Sequence, residues 1–324
     1  MKAIGGYFGL ELPLQNKGFI HGNGTMVNSG RNALEYLLLP FVGRITTIWI
    51  PYYTCDSILV PFQRLGINYR FYHIDMNLEI AEDVLLGEND LIIANNYFGI
   101  KDAYIQSLAV KYGARLIVDN TQSWYCAEIP GVKMFFSPRK FFGVADGGVA
   151  CPSTDISLDQ KDLSWNRFSH LLKRHDEGPS SGYEDFKSNS NELGMQPLKQ
   201  MSALTYTILS SINFENIACI RRRNFRILHT ALSKINRFTI PAENTYSCPM
   251  VYPLLVNDGE ELRKYLIENM IFVATYWPNV NEWVAPEANE RLISANMIPL
   301  PIDQRYDEDD MMRIIECLLC FYKG

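Results

Sequence analysis

The chain has 324 residues, 47% hydrophobic and 20% charged. That length and balance describe a globular protein with a large core and room for two domains. The net charge of −6 argues against wholesale nucleic-acid binding.

The first residues, Met1-Lys2-Ala3-Ile4-Gly5-Gly6, lack the apolar core of a signal peptide. The longest apolar stretch, residues 45–62, is broken by Pro51, Asp56 and Pro61, so no membrane span is expected. The seven cysteines stand at 55, 126, 151, 219, 248, 317 and 320. An odd count at irregular spacing suggests no disulfide framework and fits a reducing cytoplasm. Cys317 and Cys320 share one face of an apolar helical pattern and read as buried structural thiols. No second CxxC completes a zinc set. The five histidines form no H-E-x-x-H pattern, so no metal is expected. The basic run Arg221-Arg222-Arg223 reads as a solvated helix face or a local anion contact.

In chain order, residues 31–39 form an apolar helix opened by Asn28-Ser29-Gly30. Residues 45–50 are a β-branched strand ended by Pro51. A helix is expected over 54–65, closed by Gly66, then strands over 69–74 and 90–95. Residues 101–112 form a helix ending at Gly113, and 115–118 a buried strand ended by Asp119. Residues 135–136 and 148–151 read as two short strands flanking a loop. Short apolar strands alternating with helices argue for a mostly parallel sheet covered on both faces.

Residues 155–196 are rich in Ser, Asn, Asp, Glu and Lys and read as an exposed excursion or mobile flap. The stretch 198–235 is helix-rich, with a long connecting helix near 217–235. Then follow strand-like 250–256, an amphipathic helix at 259–269, strand-like 271–275 and a last helix at 307–322. The expected division is a large α/β domain over 1–200, then a connecting helix and a small C-terminal α/β domain over 201–324. No internal repeat is visible.

In an open parallel sheet, ligands gather at the carboxyl ends of the strands, and three features fall there. The turn Asn28-Ser29-Gly30-Arg31 opens a helix and leaves free N–H groups at the positive end of its dipole. That makes an anion or phosphate site, or an ordinary helix cap. Asp119 closes a buried strand, with Gln122 three residues on. A carboxylate there can hold a proton on a ring nitrogen, or simply form an Asx-turn. A nucleotide-ribose role is disfavoured, because Gly22-Asn23-Gly24 does not extend to G-x-G-x-x-G. Lys140 lies among Phe135, Phe136, Phe141 and Phe142, with Gly147-Gly148 following. Poor solvation there would free the amine to form a Schiff base; the alternative is a snorkelling loop lysine. Phosphate anchor, ring-nitrogen aspartate and Schiff-base lysine, in this order, are the parts of a pyridoxal 5'-phosphate (PLP) site on the aspartate-aminotransferase-like fold.

These segments resemble the DegT/StrS-type aminotransferases. Asn28-Ser29-Gly30-Arg31-Asn32-Ala33-Leu34 is similar to the family's Ser-Gly-Thr-x-Ala-Leu phosphate turn, with Arg31 in place of Thr. Ile50-Pro51-Tyr52-Tyr53-Thr54-Cys55 is similar to Val-Pro-Ser-Phe-Thr-aromatic, and Asn96-Tyr97-Phe98-Gly99 to His-Leu-Tyr-Gly. Asp119-Asn120-Thr121-Gln122 is similar to Asp-Ala-Ala-Gln. Ser137-Pro138-Arg139-Lys140, with Gly147-Gly148, is similar to His-Pro-Thr-Lys followed by Glu-Gly-Gly. Leu300-Pro301 before an acidic helix start resembles the family's closing segment.

The resemblance implies a PLP-dependent transferase fold of type I and a homodimer. It implies transfer of an amino group from a donor such as glutamate to a nucleotide-linked keto-sugar, as in polysaccharide biosynthesis. Lys140 would form the internal aldimine and shuttle the proton, and Asp119 would pair with the pyridinium. Gln122 would bond the phenolic oxygen, and Ser29, Gly30 and Arg31 would hold the phosphate. Dehydratase relatives carry histidine in place of Lys140.

Several positions depart from the family. Cys55 replaces the aromatic that stacks on the ring, and Tyr53 beside it points elsewhere if the segment is extended. Phe135 replaces a phosphate-binding serine, leaving Ser137 as the substitute. Leu198-Lys199-Gln200-Met201-Ser202 lacks the asparagine and arginine that reach a partner's site, and the chain is short for the family. These departures give the alternative of a PLP-binding protein with a regulatory or scaffolding role. Tyr276-Trp277-Pro278 and residues 155–196 are candidates for shaping an acceptor pocket.

Overall fold

Nine short strands and eleven helices alternate through the residues described by the computed structural model, 10–13 and 20–323. The reading of the first residues lies outside them. The chain runs β1 (Thr25–Val27), α1 (Gly30–Leu38), β2 (Ile48–Pro51), α2 (Leu59–Leu65), β3 (Tyr69–Tyr72), β4 (Leu91–Asn95), α3 (Asp102–Tyr112), β5 (Leu116–Asn120), β6 (Lys133–Phe136) and β7 (Gly148–Cys151). Helices α4 (Ser169–Glu177), α5 (Tyr183–Met195), α6 (Ala203–Ser210) and α7 (Phe214–Leu232) follow. The remainder is β8 (Val251–Leu255), α8 (Gly259–Glu268), α9 (Val280–Trp283), α10 (Asn289–Asn296), β9 (Met297–Pro301) and α11 (Glu308–Phe321).

The first seven strands form one sheet in the order β1-β7-β6-β5-β4-β2-β3. Strands β2 to β6 are mutually parallel, while β7 is antiparallel to both neighbours. Alternate residues along a strand face opposite sides. In β4, Leu91 and Ile93 join the core under α1 and α2, whereas Ile92 and Ala94 join the core with α3 and the C-terminal third. Both faces are therefore covered, which explains why these strands read as continuous apolar runs. Helix α1 buries Leu34, Leu37 and Leu38, each worth about 1.5–3 kcal/mol. That burial fixes the position of its N-terminus over the sheet.

The expected helix over 54–65 is split into a short 3-10 turn, Asp56–Ile58, and α2. Pro61 has no N–H and is tolerated only in a helix's first turn, which sets the start of α2 near Leu59. Gly66 closes it at φ +64°, the left-handed cap glycine supplies without strain. Residues 155–196 carry α4 and α5. The polar composition hid them, because α5 buries little more than Asn189 and Leu193.

Residues 271–275 form no strand. Ile271 N instead bonds back to Leu266 O. The partner of β8 is β9, paired antiparallel from Val251↔Pro301 to Leu255↔Met297. The prolines 299 and 301 disguise β9, being tolerated only at sheet edges.

The Arg221-Arg222-Arg223 expectation is corrected at its first residue. Arg221 is only 2% exposed. It donates to Met250 O at 2.9 Å, Gln304 Oε1 at 3.2 Å and Phe141 O at 3.4 Å, and lies over the Phe141 ring. A planar five-donor fork can be buried when acceptors ring it. Cys317 is half-buried and Cys320 exposed, not buried. The buried stripe of α11 is Met311, Ile314, Ile315 and Leu318, and both thiols flank it. No described helix is long and apolar enough to cross a membrane.

Candidate active site

The carboxyl ends of β2, β4, β5 and β6 and the N-terminus of α1 converge on one cleft. It is lined by every residue singled out from the sequence: Ser29, Gly30, Arg31, Cys55, Asp119, Gln122, Ser137 and Lys140. Ser29 is extended, and its Oγ accepts from Asn32 N at 3.0 Å, capping α1. The α1 N-terminus faces the turn after β6 closely. A Cβ on Gly30 would lie 3.2 Å from both Ser137 Cβ and Thr121 Cγ2. A Cβ on Gly148 would lie 2.2 Å from Ser29 O, so the glycine pair after the lysine lets β7 meet the α1 start.

Asp119 is held by Thr121, whose N donates to its Oδ1 at 2.8 Å. Burial pushes the Asp119 carboxyl above the usual carboxylate range, opposed by the Lys140 cation and the Thr121 hydrogen bonds. A cationic partner in the cleft would restore the ionised form. Lys140 Nζ donates to Thr121 Oγ1 at 3.2 Å. Lys140 itself is exposed, which corrects the expectation of a poorly solvated amine. Phe135, Phe136, Phe141 and Phe142 are buried in the two cores, while the turn at 138–140 carries the lysine out into the cleft.

Gln122 Oε1 accepts from Phe98 N at 3.1 Å, and its buried Nε2 has no partner. Arg31 Nε and Nη1 are likewise buried without partners. Burial lowers the Arg31 pKa, and burial next to Arg31 brings Arg139 down to about 10. With Arg31, Arg139 and Lys140 against Asp119, the lining is net cationic and suited to an anion. The Cys55 thiol lines the same cleft and accepts from Ser57 Oγ at 3.1 Å. Tyr53 is fully buried, its ring edge-on to Trp277 at 4.9 Å; it lies in a bend beyond the end of β2, so packing and not strand alternation sets its direction. Phe135 also lines the cleft, beside Ser137.

Thr121 and Asn95 carried no sequence signal of their own, whereas Trp277 and Leu193 fall in the two stretches expected to shape a pocket. Thr121 bridges Asp119 and Lys140; Asn95 donates from Nδ2 to Thr54 Oγ1 at 3.0 Å. Leu193 of α5 and Trp277 reach in from distant parts of the chain. Tyr276 stacks on Phe98, leaving Trp277 as the member of its triplet at the cleft. Arg221 and Gln304 both donate to Phe141 O, fixing the residue after Lys140. Arg221 was visible in the sequence only as part of the basic run, and Gln304 not at all.

No family model and no curated protein matches the chain. Solved structures do match it. The putative sugar aminotransferase Spr1654 from Streptococcus pneumoniae, in its PMP form, is 14% identical, covering 91% of this chain and 86% of that one at a TM-score of 0.64. A DegT DnrJ EryC1 StrS aminotransferase from Brucella abortus is 17% identical, covering 93% and 86% at 0.60. DesI in the presence of its TDP-sugar product is 14% identical, covering 92% and 80% at 0.59. The chain thus has the α/β fold of these solved aminotransferases, with a large, mostly parallel sheet.

Proposed function

We propose that the chain is a PLP-dependent aminotransferase of the DegT/StrS type, moving an amino group from glutamate to a nucleotide-linked keto-sugar. The observation that carries this is the convergence of Lys140, Asp119, Gln122 and the α1 N-terminus on one cleft, with unpartnered buried donors on Gln122 and Arg31.

The residues fit the cofactor. The N–H groups of Gly30 and Arg31, with Ser137 and the Arg31 guanidinium, suit its phosphate. Gln122 Nε2 suits its phenolic oxygen, and Asp119 suits a protonated ring nitrogen. When bound, PLP supplies an electron sink for a carbanion at the substrate carbon. Asp119 keeps the ring nitrogen protonated. Lys140 Nζ is the base that takes the proton from the donor's α-carbon and the acid that returns it. Thr121 Oγ1 holds that amine in place beforehand. Leu193 and Trp277 exclude water from one side of the cleft. The net cationic lining agrees with a sugar substrate that carries phosphate; DesI was solved in the presence of its TDP-sugar product.

On this reading the working unit is a cytoplasmic homodimer. It divides into a PLP-binding domain over 1–200 and a smaller domain over 201–324. A second reading, a PLP-binding protein with a regulatory or scaffolding role, is favoured by Cys55, which offers no aromatic face to a cofactor ring.

Purified chain reconstituted with PLP should turn yellow, and borohydride should trap a covalent adduct lost in Lys140→Ala. Glutamate should shift the absorbance toward the pyridoxamine form. Protein that stays colourless after reconstitution would sink both readings. Yellow protein unresponsive to every amino donor would favour the second. Mass spectrometry of nucleotide keto-sugars incubated with glutamate would then identify the acceptor.

A further inference from the structure

A second group of reactive side chains lies at the other end of the sheet. Strand β7 starts beside the cleft at Gly148 and ends at Cys151, three residues or about 10 Å further along. Cys151 there meets His21, which precedes β1, and Glu128, in the connection from β5 to β6. One donor atom from each lies within 4.8 Å of the others. Cys151 Sγ is 3.5 Å, and His21 Nδ1 3.8 Å, from Glu128 Oε1.

The ring of His21 is 1% exposed, stacked on Phe136 and edge-on to Trp124. Its Nε2 lies 2.6 Å from Trp124 O. A carbonyl only accepts, so Nε2 carries the hydrogen and Nδ1 presents a lone pair. That Nδ1 is buried, without a hydrogen-bond partner, and faces Glu128 and Cys151. One ring nitrogen donating to a backbone carbonyl while the other stays free is how metal-binding histidines are oriented.

We propose that His21 Nδ1, Cys151 Sγ and a Glu128 carboxylate oxygen form a zinc site, with a fourth coordination position open to solvent beside Glu128. A thiolate and an imidazole select zinc over magnesium or calcium. Ligand distances of about 2.0–2.3 Å require the three donors to draw in. Glu128, whose side chain is 34% exposed, is free to make that movement. The Cys151 thiol loses its proton to solvent as the zinc–sulfur bond forms. The bound ion ties the segment before β1 to the end of β7 and to the β5–β6 connection. The inference is independent of the aminotransferase reading.

The test uses the full chain, stripped with EDTA and titrated with Zn²⁺ or Co²⁺ alone. One equivalent is expected to bind, with proton release, and Co²⁺ should give a near-ultraviolet thiolate charge-transfer band. Cys151→Ser should remove the band, and His21→Ala should weaken zinc binding at least tenfold. Cys55→Ser should leave both unchanged. Glu128→Gln alters only the exposed ligand, so it reads the site even where the buried variants fail to fold. It should keep the band and weaken zinc binding several-fold. No band in the wild type, a band surviving in Cys151→Ser, a band lost in Cys55→Ser, or undiminished zinc affinity in Glu128→Gln would each overturn the proposal.

Discussion

Gly148 shows how one residue can set the geometry of the cleft. An added Cβ would meet Ser29 O at 2.2 Å and Gly30 N at 2.7 Å. Both are backbone atoms that cannot rotate away, and overpacking of this kind costs about 1–3 kcal/mol. Gly148→Ala should therefore lower the denaturant midpoint, with a cost at the upper end of that range, and weaken PLP retention by displacing the α1 N-terminus. Gly143→Ala is the control, because its Cβ would meet only Leu171 Cδ2, at 3.7 Å; its stability should stay within about 0.5 kcal/mol of wild type. A Gly148→Ala chain as stable as that control would show that β7 and α1 can separate without cost. The glycine pair, Asp119 and the Ser29-Gly30 turn were legible in the sequence because each sits at a strand end or helix start, where local pattern suffices. Thr121 was passed over inside the same motif. Its role comes from Lys140, a residue nineteen positions on, reaching back to its hydroxyl.

At the scale of elements, the loop between β9 and α11 joins the C-terminal third to the lysine turn. Gln304 donates to Phe141 O at 2.7 Å, and on either side Asp303 and Arg305 form a two-pronged ion pair at 2.6 and 2.7 Å. Burial pushes Asp303 up, but the hydrogen bonds and charge of Arg305, with the charge of Arg221, outweigh it and leave its pKa lowered. A carboxyl lowered on folding contributes stability above its unfolded pKa of about 3.9. That contribution is lost as pH falls through the lower folded value. Arg305→Ala removes the main favourable partner, so the acid limb of the stability curve should move to higher pH while stability near neutrality falls. Circular dichroism melts from pH 2 to 7 would show this, and an unchanged acid limb would refute it. Regular elements were largely legible here because β4 and β5 are short continuous apolar runs and α3 is closed by Gly113. The strand β9 and helices α4 and α5 were not, since prolines in one case and sparse burial in the other erase the local signal. Arg221 in α7 reads as a surface residue by composition, and only the carbonyls gathered from three other segments make its burial tolerable.

For the whole molecule, the distribution of exposed apolar side chains bears on assembly. Leu163, Trp165, Leu172, Tyr183, Phe186, Met195 and Tyr206 are all exposed, and they fall in one stretch spanning α4, α5 and the start of α6. The same stretch sends Leu193 into the cleft, Asn189 Nδ2 to Ala145 O at 2.9 Å and Ser190 Oγ to Arg139 at 3.2 Å. Apolar surface concentrated next to a site is more costly to leave in water than the same residues scattered. A second copy of the chain covering it would bury that surface and brace the wall of the cleft at once. Sedimentation of the wild type at micromolar concentration should therefore give a dimer. Trp165→Asp with Leu172→Asp should shift it toward monomer by placing unpaired charges in the interface. Neither residue lines the cleft, so a fall in transaminase activity that tracks the monomer fraction would tie assembly to catalysis. A wild type that sediments as monomer throughout would remove the dimer from the account, and a double variant that stays dimeric would place the interface elsewhere on the surface.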